Sequence, residues 1–105
     1  MKTHYNKLVR DEIPRIIRES GRECSVRTLS DSEFKHELTQ KLQEELLEFI
    51  ENPCIEELAD MLEVMHALAG ILGSDFAEVI RMKEKKKADR GAFSEKQLLE
   101  YTIGY

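Results

Sequence analysis

Apolar residues return every three or four positions over most of this chain, and glycine, proline and capping residues mark the breaks. The first run, Val9, Ile13, Ile16 and Ile17, fits one helical face. Pro14 is tolerated only near a helix start, so the pattern predicts a helix from about Asp11 to Glu19, closed by Gly21. Residues 22–29 alternate loosely at Cys24, Val26 and Leu29. They read as an extended connection with room for one short strand. Ser30 with Glu33 makes a capping-box signature. Phe34, Leu38, Leu42, Leu46, Phe49 and Ile50 then carry a second helix to about Glu51. Asn52-Pro53 reads as the N-cap and first position of a third helix, running to Leu72. Its middle, Met61 to Leu72, is apolar nearly all round, which predicts burial on most sides. After Gly73, Ser74 or Asp75 caps a fourth helix, with Asp75 and Glu78 as a second box. That helix extends to Asp89 or Arg90 and stops at Gly91. Ser94 and Gln97 open one more short helix, to about Tyr101. The fold class expected is all-α: helical hairpins forming a four-helix-bundle-like core.

Length fits one domain, residues 1–105, with no repeat or linker. The balance of 21 acids to 16 bases argues against coating a polynucleotide or an anionic membrane. No apolar stretch approaches a membrane span, and MKTHYNKLVRDEIP has no apolar leader. Cys24 and Cys54 are too few for a disulfide scaffold and read as reduced thiols of a cytoplasmic protein.

The acids themselves are oddly placed. Glu45 and Glu48 share a face of the second helix, and Glu57 and Asp60 share a face of the third. Like charges three apart repel. A break as short as Asn52-Pro53 forces the two helices antiparallel, so the pairs stand at similar heights on either side of it. Each pair alone also fits a solvated helix face, and acids near a helix start are favoured by its dipole. Two pairs facing each other at the edge of a core call for a counter-charge, and carboxylate oxygens suit Mg²⁺ or Mn²⁺.

The fourth helix begins apolar, at Phe76, Val79 and Ile80, and the same stripe continues as Lys83, Lys87 and Arg90. Such a basic end can hold phosphate oxygens, or simply complement the helix dipole. Lys7 and Arg10, three apart near the start, add a weaker basic pair. His4, His36 and His66 lack ligand spacing, and His66 is read as a satisfied core histidine.

KLQEELLE followed by EELADMLEV resembles the ExxE…ExxD signature of the all-α nucleoside triphosphate pyrophosphatases, the MazG-like superfamily. YNKLVRDEIP and KADRGAF resemble its phosphoribosyl-ATP pyrophosphohydrolase-like branch. The resemblance implies Mg²⁺ ligands at Glu45, Glu48, Glu57 and Asp60. It also implies phosphate contacts from Lys83, Lys87 and Arg90, with Lys7 and Arg10 as further candidates. The expected assembly is a homodimer that completes the bundle, or a dimer of dimers. The expected reaction converts a (d)NTP and water to (d)NMP and pyrophosphate, with Glu45 or Glu48 as base, and suits removal of non-standard nucleotides. Phosphoribosyl-ATP hydrolysis in histidine biosynthesis and a helical nucleotide-binding module without turnover are the alternatives. The sequence departs from the family pattern twice. Eight residues separate Glu48 from Glu57, a short gap, and position 12 is Glu where Lys is expected. Setting the four acids aside leaves 17 acids against 16 bases. The negative charge then reads as one cation site on a nearly neutral protein.

Overall fold

The computed structural model describes residues 1–104 and places four helices in order: α1 (Ile13–Glu19), α2 (Asp31–Glu51), α3 (Ile55–Ile71) and α4 (Phe76–Arg90). The described residues include no strand, so the chain is all-α. The connection 22–29 is irregular, with no second extended segment paired to it.

The helix ends are set by local chemistry. At α2 the Ser30 hydroxyl accepts from the Glu33 backbone, and the Glu33 carboxylate accepts from the Ser30 backbone, each at 3.2 Å. Arg27 donates to the other Glu33 oxygen at 3.0 Å. These bonds, the Arg27 one first, hold the Glu33 carboxyl down at about 2. Replacing Ser30 by Ala removes one half of this reciprocal cap. It should cost about 1 kcal/mol, read as a lower urea midpoint with an unchanged slope.

α1 and α3 end in the same way. Gly21 (φ +87°) and Gly73 (φ +83°) occupy the left-handed region, where a side chain is penalised. Arg22 donates back to the Ile17 carbonyl, and Ser74 to that of Ala69, so both helices close with a Schellman pattern.

The break between α2 and α3 differs from expectation. Asn52 is the C-cap of α2, donating to the Glu48 carbonyl at 2.9 Å, and α3 starts at Ile55 after Cys54. The residue before a proline is driven out of the helical region, so Asn52 stops one helix rather than starting the next. At α4, Asp75 accepts from the Glu78 backbone at 2.9 Å as expected. The Glu78 side chain bonds the Ser74 hydroxyl, and the reciprocal box is not formed.

α2 packs along α3, and α4 packs against α3 but not α2. The buried apolar residues are few: Leu38, Val64 and Ala69. The expectation that α3 is buried on most sides therefore fails within one chain. Ile55, Leu58, Leu62 and Met65 form an exposed stripe at helical spacing, and Leu47 and Ile50 of α2 are exposed as well. α2 and α4 cover part of α3, and among the described residues nothing covers the stripe from Ile55 to Met65.

His66 is likewise exposed rather than part of a core, with its ring stacked on Phe76 at 5.2 Å. Val79 and Ile80 are also exposed, leaving Phe76 as the half-buried contact of the α4 inner face. Residues 94–101 are not helical. Helix nucleation is costly, and a segment this short needs a surface to pack on. Phe93, Leu98, Leu99, Tyr101 and Ile103 have none and are exposed.

The chain exposes 9831 Å², against about 6,100 Å² for a compact monomer of its mass. Its radius of gyration is 18.8 Å, against about 13 Å for a compact domain of this length.

Candidate metal centre

The α2–α3 hairpin brings Glu45, Glu57 and Asp60 together. One carboxylate oxygen from each lies within 4.8 Å of the others. Glu45 is buried at 6% exposure, on the face of α2 that packs on α3. Glu57 and Asp60 are half-buried, one turn apart on α3. Two of the oxygens are buried with no hydrogen-bond partner: Oε2 of Glu45 and Oε2 of Glu57. Buried polar atoms are normally paired, so two orphaned carboxylate oxygens in one cluster require explanation.

Electrostatics points the same way. The Glu57 carboxyl is pushed up to about 7, first by loss of solvent, then by the neighbouring carboxylates of Glu45 and Glu48. Glu48 is exposed and stands beside the three-oxygen cluster rather than within it. Lys41 lies 3.5 Å from Glu45 Oε1 and is the nearest basic group on the same helix. Three converging carboxylates with orphaned oxygens and hard donor atoms could hold a metal ion.

The raised Glu57 group predicts a pH effect. Unfolded glutamate releases its proton near pH ~4.3, while Glu57 holds it to about 7 in the folded chain. Between those values the folded state binds more protons, so stability falls as pH rises. Glu33, whose carboxyl is held at about 2, is ionised throughout this window and adds no slope. In chelator, the thermal midpoint should be higher at pH 5.5 than at pH 8. Glu57→Gln should flatten that slope, and Mn²⁺ should remove it in the unmodified chain. An unaltered slope in Glu57→Gln would assign it elsewhere.

The five basic candidates separate into two groups. Lys7 donates to Glu44 Oε1 at 3.0 Å, and Arg10 donates to Asp60 Oδ1 at 2.9 Å. The Glu44 bond raises the Lys7 ammonium and lowers the Glu44 carboxyl. Lys83, Lys87 and Arg90 are exposed on α4, and no ion pair joins them to the three acids. Lys83 pairs with its neighbour Glu84 at 3.2 Å. Glu12 makes a local pair with Arg15, away from the acids. Spacing makes Glu44 a neighbour of Glu48 on one helix face but not a candidate ligand, and it carries no signal for Lys41. Each sits among several charged neighbours on α2, and only the packing of the hairpin and the N-terminal segment shows which matter.

Two features thus define the molecule: an all-α hairpin, and a carboxylate cluster on its inner edge. A protein of Mycolicibacterium smegmatis, described only as uncharacterized, is 55% identical to this chain over 42 residues. The match covers 40% of this chain and 43% of that relative, less than half of either. No family model matches the chain. No solved structure matches it. No helix of the described residues is long and apolar enough to cross a membrane.

Proposed function

We propose that this chain is a divalent-cation-dependent nucleoside triphosphate pyrophosphohydrolase. One observation carries the reading: Glu45 and Glu57 each hold a buried carboxylate oxygen without a partner, converging with Asp60 across two helices. Glu45, Glu57 and Asp60 hold the cation, which supplies positive charge to the phosphate oxygens when bound. Glu48, exposed and adjacent, is the base in this reading. It accepts the proton of the water that attacks the α-phosphorus. The bond from that phosphorus to the bridging oxygen breaks, and pyrophosphate departs. Arg10 already stands on Asp60 and offers a guanidinium fork for phosphate oxygens, and Lys7, on the adjacent Glu44, anchors the segment that carries it.

A second copy of the chain is the partner in this proposal. The surface in excess of a compact monomer is several times the ~800 Å² that each partner gives to a stable interface. The stripe Ile55, Leu58, Leu62 and Met65 is the apolar face that such a copy covers.

The test is pyrophosphate release from a panel of (d)NTPs, with phosphoribosyl-ATP alongside, in Mg²⁺, Mn²⁺ or chelator. Release from a nucleoside triphosphate that stops in chelator is the expected result. No release from any substrate, or release undiminished in both Glu48→Gln and Asp60→Asn, would refute the proposal.

A further inference from the structure

The residues before α1 have no regular structure, yet they are tied to both helices of the hairpin. Lys7 binds Glu44 of α2, and Arg10 binds Asp60 of α3. Between them Leu8 is half-buried, and with Lys7 it lines a small cavity against Glu37, Gln40, Lys41 and Glu44. Asn6 has φ +48°, a left-handed turn that asparagine tolerates better than most residues. The segment is therefore a strap seated across the hairpin at a defined place. Its anchors lie 37 and 50 positions away in sequence.

Arg10 engages a carboxylate of the metal cluster itself. A guanidinium on Asp60 and a cation on Asp60 compete for the same negative charge. The Arg10 side chain is 60% exposed, so it can leave without unpacking a core. Free of Asp60, its planar fork matches a phosphate better than it matches water.

We infer that Arg10 is a resident counter-ion: it holds Asp60 while the cation is away, and transfers to a phosphate oxygen when cation and nucleotide arrive together. This inference rests on the cation site proposed above. The exchange couples the two ligands. Metal alone must strand Arg10 in water, and phosphate alone must draw Arg10 from Asp60. Each ligand removes the cost the other faces, so each tightens the other by the same factor. Lys7, paired with Glu44 outside the cluster, keeps the strap in place while Arg10 changes partner.

Mn²⁺ is the probe, its free concentration read by electron paramagnetic resonance on the full chain without nucleotide. Arg10→Gln should bind Mn²⁺ up to about fivefold more tightly than the unmodified protein, the ceiling for an exposed ion pair. Arg10→Lys, which keeps a point charge, should fall between them. Helical circular dichroism checks that both variants are folded. In the unmodified protein, Mn²⁺ should also speed tryptic cleavage after Arg10 relative to cleavage after Arg90. Adding a non-hydrolysable triphosphate should slow it again. Equal or weaker Mn²⁺ binding by Arg10→Gln, in a protein that does bind Mn²⁺, overturns the counter-ion role and leaves the metal site standing. Mn²⁺ binding by neither protein overturns both. Binding by Arg10→Gln alone supports the inference.

Discussion

Replacing Leu62 by Asp is expected to abolish the folded state rather than trim its stability. In a single chain this side chain is 49% exposed, and a surface substitution there would cost at most ~0.5 kcal/mol. The apolar stripe from Ile55 to Met65 argues against that mild outcome. A chain that leaves this stripe in water, with three buried apolar residues among those described, has too little core to offset its chain entropy. If a second copy covers the stripe, the new carboxylate is driven into a dry interface, once for each subunit. An unpaired buried charge costs several kcal/mol, which is a large part of the stability of a small protein. Sedimentation velocity should show a dimer or larger assembly for the natural chain and a monomer for Leu62→Asp, with no cooperative melt. A natural chain that sediments as a stable monomer, and a variant that melts alongside it, would remove the second copy from the account.

Glu45→Gln is expected to move stability and activity in opposite directions. Glu45 is the most buried acid of the cluster, and one of its oxygens has no partner. Without a cation its charge faces Glu57 and Asp60, relieved by Lys41 at 3.5 Å and by Arg10 on Asp60 at 2.9 Å. Glutamine keeps the shape, removes the charge and supplies an amide that can donate to Glu57. In chelator the variant should be more stable by about 1 kcal/mol or more, a rise in thermal midpoint of roughly 4–8 °C. Pyrophosphate release should fall by about a hundredfold or more, the usual loss when one preorganised electrostatic contact is removed. Mn²⁺ should stabilise the natural chain more than the variant. A purely structural role for the acids predicts the gain in stability with no loss of hydrolysis.

What was legible in the sequence follows the range of the interaction. Ser30 and Glu33 are three apart, and their reciprocal cap forms as the spacing indicates. Glu45, Glu57 and Asp60 converge because a very short break leaves an antiparallel hairpin little freedom. The apolar block of α3 was legible as a demand for burial. It carried no record of what meets that demand, and one chain does not meet it. The same holds for Leu98 and Leu99, which mimic a helix face but have no surface on which to nucleate one. His66 is exposed despite its apolar neighbours, because an apolar neighbourhood in sequence becomes a core only if something packs over it. The Arg10–Asp60 and Lys7–Glu44 pairs leave no periodic trace, since ion pairs between distant segments impose no spacing on either.

The tight break after Asn52 also bears on how the protein assembles itself. Glu45 and Glu57 are only 12 positions apart. Closing so short a loop costs little entropy, whereas the return of the N-terminal strap, and the subunit pairing proposed above, join distant or separate segments. The order of events on the folding path follows from that difference in contact order. The carboxylates meet as soon as the hairpin zips, before the distant N-terminal strap returns to it. If the proposed site binds its cation at that stage, the ion would offset their repulsion in the nascent hairpin and act as a template for the rest of the molecule.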